Sequence, residues 1–202
     1  MDWNNLLQIT YCNSLETLKL TEDLCLQAIK DGLKGDFAEA GVANGGHCIV
    51  MNSVSDGRKT WLFDSFEGIS EYTEDDIEFT QSWGKSNGNK DKSSGITVHS
   101  LDNVKTTLQR FSSLDNYEFV KGWFCDTLPK IDKKLKLSVL RLDCDIYHGY
   151  VDCLKYLYPK LEIGGWLIID DYHLSGCKKA LDEYGLTKFE FRNGIAYCQK
   201  IG

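Results

Sequence analysis

A chain of 202 residues, 42% of them hydrophobic, is long enough for one domain with a sizeable core, and a single domain over 1–202 is expected. Its formal net charge is −7, with lysines and arginines scattered rather than clustered, which argues against nucleic acid as the main partner. No apolar run approaches the roughly eighteen residues of a membrane span. The opening MDWNNLLQIT also lacks the basic flank and apolar core of a secretory signal, so a soluble cytoplasmic protein with no membrane partner is expected. Eight cysteines form no CxxC pair and no zinc-like spacing with histidine, and they read as small buried apolar residues in a reducing compartment.

Residues 1–34 form an N-terminal helical segment. In Leu15–Lys30 the apolar positions 15, 18, 20, 24, 26 and 29 predict a helix. Thr21, followed by Glu22 and Asp23, resembles a cap that divides it in two, and Gly32 and Gly35 end it. Next comes DFAEAGVANGG, then an apolar stretch from Cys48: a short strand, a glycine turn and a helix start. Glycines at 41, 45 and 46 let backbone approach a ligand closely, and the helix start after them favours a carboxylate or phosphate. KTWLFD is the second strand, and Asp64 ends it 23 residues after Gly41, where a ribose diol is commonly held. Asp64, or Ser65 beside it, could equally cap the segment that follows.

Residues 69–95 are polar and glycine-bearing, with Tyr72, Phe79 and Trp83 able to fold over a ligand; a mobile lid is expected. A helical pattern resumes through Leu101, Val104, Leu108 and Phe111. The run 117–120 is the third strand, and Trp123 beyond it could stack on a base or pack in the core.

The stretch 139–172 organises the chain. Two apolar runs, 138–142 and 166–169, read as buried strands, each ending in acids: Asp143 and Asp145 after the first, Asp170 and Asp171 after the second. Val151, Leu154, Leu157, Tyr158 and Leu161 between them have helical spacing, so the unit is βαβ and its strands are parallel. Parallel sheets place ligands beyond the carboxyl ends of their strands, where these acids fall. With neighbouring strands about 4.8 Å apart, Asp143 and the pair Asp170 and Asp171 could share one hard divalent cation, leaving Asp145 for another task. A short helix follows at 177–184. Asn193 and Gly194, set between alternating apolar runs, mark an antiparallel hairpin. The tally is five β-then-α units and a hairpin: an α/β, Rossmann-like, mostly parallel seven-stranded sheet with helices on both faces.

This plan resembles the class I S-adenosylmethionine methyltransferase fold. Within it GDFAEAGVANGG, WLFDSFEG, VKGWFCDTLP, LRLDCDIY, LYPKLEIGGWLIIDDY and GCKKALDEY resemble the macrocin O-methyltransferase family over about 35–185. The resemblance implies S-adenosylmethionine and Mg2+ as cofactors and a small-molecule acceptor hydroxyl, on a sugar. By that likeness Glu39, Gly41, Val42, Gly45 and Gly46 hold the methionine part, Asp64 and Ser65 the ribose, and Gly122 and Trp123 the adenine, with Asp143 bordering the cofactor. Asp143, Asp170 and Asp171 match the metal ligands, and Asp145 the general base. His148 and His173 are rival bases, ranked below Asp145.

The chemistry is coherent: displacement at a sulfonium needs an aligned oxygen, and a sugar hydroxyl needs a metal or a base to become nucleophilic. Three other readings compete. A glycosyltransferase would use the D-x-D at 143–145, a catechol-type enzyme would take a different diol, and a binding module would have lost catalysis. Association into a homo-oligomer is left open.

Overall fold

The computed structural model describes residues 2–10, 14–84 and 94–202. The elements run α1 (Trp3–Thr10), α2 (Leu15–Lys30), β1 (Asp36–Ala40), α3 (Gly46–Ser53), β2 (Thr60–Asp64), α4 (Ile77–Trp83) and α5 (Leu101–Gln109). They continue through β3 (Tyr117–Lys121), α6 (Phe124–Thr127), β4 (Leu137–Leu142), α7 (Tyr147–Tyr156), β5 (Leu161–Ile169), α8 (Ser175–Tyr184), β6 (Glu190–Arg192) and β7 (Ile195–Gln199).

The sheet order is β3-β2-β1-β4-β5-β7-β6, parallel from β3 to β5, with β7 antiparallel to both β5 and β6. The order reverses between β1 and β4, so their carboxyl ends diverge into a crevice, the usual ligand position in open α/β sheets. Asn193 and Gly194 both take positive φ, 51° and 84°, as a two-residue turn between twisted strands requires.

Side chains alternate across the strands and divide the core. Ala38, Ala40, Leu140 and Leu142 face α7 and α8 together with Tyr150, Leu154, Cys177 and Leu181. Phe37 and Val139 face the other way, onto Leu20, Leu24, Ala28 and Met51. Glu39 and Arg141 lie opposite each other in the β1–β4 register, on that second face.

Several sequence expectations change. Leu15–Lys30 is one helix capped by Ser14, whose hydroxyl accepts from Thr17 N; Thr21 divides nothing, because its hydroxyl bonds back to Thr17 O and to His47 Nδ1. The helix after β4 stops at Tyr156, because Pro159 cannot continue it, and Leu161 opens β5 instead. In the segment expected as a lid, 69–84 is folded: Tyr72 and Phe79 bury against Ile69 and Ile146. Its ends are tied, Ile69 N to Ile96 O at 3.1 Å and Ser94 N to Ile69 O at 2.8 Å. The rest of the expected lid, 85–93, lies outside the described residues, as does the side chain of Trp83. Cys25, Cys48, Cys144, Cys153 and Cys177 are buried free thiols. Among the described residues no helix is long and apolar enough to cross a membrane.

Candidate active site

Two clefts meet at the crevice between β1 and β4. The first, of about 200 Å³, is lined by Gly41, Asp64, Trp123, Asp143, Asp145 and His148 among others. The second, of about 370 Å³, reaches from Glu39, Arg141 and Asp143 to Asp170 and His173, with Asn193 and Gly194 at its rim. Asp143 belongs to both.

The floor is the turn after β1. Gly41 has φ 81°, and a Cβ there would sit 1.7 Å from the carbonyl oxygen of Asp143, so only glycine lets the two strand ends lie together. Gly45 (φ 86°) precedes α3, and Gly46 opens it, buried. Asp64 grips this turn: one oxygen accepts from Val42 N at 2.7 Å, the other from Phe66 N at 2.6 Å. Burial raises the Asp64 carboxyl, against these hydrogen bonds. Asp64 also lines the first cleft. The Ser65 hydroxyl donates to Gly68 O and accepts from Glu67 N, so it shapes the next turn as well as lining the cleft. Gly122 (φ 139°) donates its N–H to Asp64 O at 2.9 Å and leads to Trp123, half-buried in the cleft wall.

The acids divide by face. Asp170 and Asp171 are adjacent and turn to opposite sides. Asp170 takes the side of Arg141, which donates Nη2–H to it. Arg141 also donates through Nη1 to Asp143 Oδ2 at 2.8 Å and to Glu39 Oε1 at 3.1 Å. Asp171 turns towards α7, where its Oδ2 accepts from the Tyr150 hydroxyl at 2.8 Å and from Asp145 N at 2.9 Å. Asp145 has φ 62°, a conformation asparagine and aspartate tolerate better than most, which turns the chain between β4 and α7. The structure thus brings one oxygen each of Asp143, Asp145 and Asp171 within 4.8 Å of one another, while Asp170 stands beside them on Arg141.

The electrostatics follow. Burial first, then Asp170 and Asp171, push Asp143 up to about 8 against the pull of Arg141. Burial and Asp170 push Asp171 up to about 6. Asp145 is raised well above the carboxylate range by burial, then by Asp171 and Asp143. Glu39, whose other oxygen accepts from the Cys48 thiol, is lifted by burial to about 8. Such a cluster carries more negative charge than one guanidinium balances. Its all-oxygen donor set suits a hard divalent cation. The residues therefore fit the implied metal.

His148 lines the first cleft and His173 the second, so neither shares a wall with the other. Sequence reasoning missed three partners: Arg141, Tyr150 and Asp76. Asp76, buried, accepts from Tyr147 N at 2.7 Å and so fixes the loop that carries Asp145. Arg141 alone had a local signal, since a charge inside a fully buried strand must find opposite charges.

The sequence matches the family model described as macrocin-O-methyltransferase (TylF) over residues 10–190. It is 35% identical over 167 residues to 8-demethyl-8-(2,3-dimethoxy-alpha-L-rhamnosyl)-tetracenomycin-C 4'-O-methyltransferase of Streptomyces olivaceus, covering 79% of this chain and 62% of that protein. To mycinamicin III 3''-O-methyltransferase of Micromonospora griseorubida it is 36% identical over 163 residues, 78% of this chain and 63% of that protein. The chain thus spans slightly under two thirds of the length of these relatives. The solved structure of the O-methyltransferase NovP superposes with a TM-score of 0.79 at 30% identity, covering 94% of this chain and 81% of that one. The sheet, its reversal point and this match make the fold a class I methyltransferase fold, and the chain belongs to the macrocin-O-methyltransferase (TylF) family.

Proposed function

We propose that the protein is an S-adenosylmethionine- and Mg2+-dependent O-methyltransferase acting on a sugar hydroxyl of a small molecule. One observation carries the reading: Asp143, Asp145 and Asp171 bring oxygens within 4.8 Å of one another, with Asp170 beside them on Arg141, and this acid cluster stands next to the glycine turn and Asp64 at the sheet's reversal point. The relatives' names, which specify O-methylation of sugar-bearing compounds, support the acceptor class. Family membership favours methyl transfer over glycosyl transfer through the D-x-D, and the complete acid set favours an enzyme over a binding module.

When bound, S-adenosylmethionine supplies an electrophilic methyl group and Mg2+ a Lewis acid that acidifies and aligns neighbouring hydroxyls. The chain's own residues do the rest. Glu39 receives the ammonium of the methionine part, and the 41–46 turn lets that part lie against the backbone. Asp64 takes the ribose diol and Trp123 borders the adenine. Asp143, Asp170 and Asp171 hold the cation. Asp145, which lines the first cleft beside Asp143, takes the hydroxyl proton as general base. Holding the oxygen in line with the methyl group does much of the work, so the rigid strand ends matter as much as the acids.

Calorimetric titration with S-adenosylhomocysteine, with Mg2+ and with EDTA, tests this, using a nucleotide sugar as control. Micromolar binding of the homocysteine compound is expected. Binding of the nucleotide sugar alone, and only with metal, would return the D-x-D to a glycosyltransferase.

A further inference from the structure

The proposed function leaves Arg141 without a task, yet it is the largest fully buried side chain among the described residues, at 1% exposure. It sits at the centre of the crevice and reaches three carboxylates that belong to two different jobs. Nη1 donates to Glu39 Oε1 at 3.1 Å and to Asp143 Oδ2 at 2.8 Å, and Nη2 donates to Asp170. Its Nε is buried with no acceptor among the described residues. A buried donor left unsatisfied is unfavourable, so the guanidinium is not placed for its own hydrogen bonding. It is placed for what its two ends hold.

We propose that Arg141 is a positioning residue that links the cofactor end of the site to the acid cluster, so that cofactor and divalent cation bind cooperatively. The proposal rests on the assignments of Glu39 to the cofactor and of Asp143 and Asp170 to the cation. Its basis is geometric. Glu39 and Arg141 are register partners on β1 and β4, and Asp143 follows Arg141 by two residues on the same face. One guanidinium nitrogen is therefore pulled towards Glu39 on one side and Asp143 on the other. An ammonium group settling on Glu39 takes over part of that carboxylate's charge and weakens its hold on Nη1. The guanidinium then settles onto Asp143 and Asp170 and holds these two carboxylates in one orientation. The amino-acid end of S-adenosylhomocysteine carries one positive and one negative charge, so its direct repulsion of a cation is small. Because Arg141 already pairs with Asp143 and Asp170 before either ligand arrives, its own repulsion of the cation changes little on tightening, the ordering effect through Arg141 prevails, and each ligand tightens the other.

The test is calorimetric and needs no acceptor. The Mg2+ Kd is measured with and without saturating S-adenosylhomocysteine, in the wild type, in Arg141→Lys and in Glu39→Gln. In the wild type S-adenosylhomocysteine is expected to tighten Mg2+ at least about fivefold, and by linkage Mg2+ tightens S-adenosylhomocysteine equally. Arg141→Lys keeps the charge but cannot span both sides. It is expected to weaken Mg2+ by about 10- to 100-fold, the usual effect of losing a group that orients metal ligands. The mutual effect should then fall below about twofold. Glu39→Gln removes the carboxylate's charge and weakens its hold on the guanidinium, as a bound ammonium does, so its Mg2+ Kd without S-adenosylhomocysteine should match that of the saturated wild type within about twofold, far inside the coupling range. A wild type that binds both ligands independently, or a lysine variant that keeps the full mutual effect, overturns the linkage and leaves the proposed function standing. A wild type that binds neither removes both. Should Arg141→Lys fail to fold, the wild type and Glu39→Gln decide.

Discussion

The closest backbone approach in the site offers a sharp perturbation, Gly41→Ala. At φ 81° an alanine stands in the left-handed region, which costs about 1–2 kcal/mol. The larger effect is steric. Its Cβ would meet Asp143 O at 1.7 Å and Asp143 C at 2.7 Å. Ordinary carbon–oxygen contacts start near 3.0 Å, so the ends of β1 and β4 must part by about 1.3 Å. Backbone cannot rotate away as a long side chain can. That displacement falls on the residue that joins both clefts and whose carboxylate sits on Arg141. A misplacement of about 1 Å can cost about a hundredfold in rate. Gly41→Ala should therefore lower S-adenosylhomocysteine and Mg2+ affinity together and cut turnover at least about a hundredfold, while near-native far-UV circular dichroism shows the sheet intact. Calorimetry and a methyl-transfer assay with a sugar acceptor read this out. A variant binding both ligands with wild-type affinity would refute the packing argument, because the strand ends would then have moved without consequence.

Three further outcomes are expected. Asp143→Asn and Asp145→Asn should both reduce turnover, by about 10²–10⁴-fold where a general base is lost, but only the first should weaken Mg2+ in a calorimetric titration. Equal Mg2+ loss in both would make Asp145 a ligand. For pH, Glu39 and Asp143 have folded values raised to about 8, so the folded protein binds their protons more tightly than the unfolded chain. Cation-free stability should fall as pH rises from about 4–5, where the unfolded groups titrate, to about 8. Mg2+ affinity should rise over the same window as the acids ionise, so the Mg2+-induced gain in Tm should be larger at pH 8 than at pH 5.5; a gain independent of pH would contradict the raised values. Asp76→Ala removes the acceptor of Tyr147 N and Thr73 N. It should cost about 1–3 kcal/mol in urea unfolding, the cost of a buried donor left unpaired.

What could be read before the structure was what local chemistry dictates. The turn at 41–46, the acid ending β2 and the Asn193–Gly194 hairpin each declare themselves within a few residues, and the acids after β4 and β5 follow from the strand–helix–strand pattern. Pairings between distant strands do not. Arg141 sits in an apolar run, and only the register of β1 against β4 brings Glu39 to it. Alternation settles which of Asp170 and Asp171 faces Arg141, yet that depends on how β5 leaves the sheet. The tally of helix and strand misjudged 157–165, where Leu157 and Leu161 fit a helical spacing but Pro159 and two glycines carry the chain into β5.

The position of β7 has a consequence for how the site comes into being. Residues 195–199 pair with 166–169, the end of β5 that presents Asp170 and Asp171. Until β7 arrives, that end of β5 is an open edge, hydrogen-bonded on one side only, and free to fray or to pair with another chain. As synthesis proceeds from the N-terminus, the glycine turn, Asp64, Asp143 and Asp145 all emerge well before this last central strand. The protein's charge cluster is thus assembled late, when its final strand zips into the gap between β5 and β6. A nascent chain carries the glycine turn and Asp64 long before the outer side of β5 has a partner.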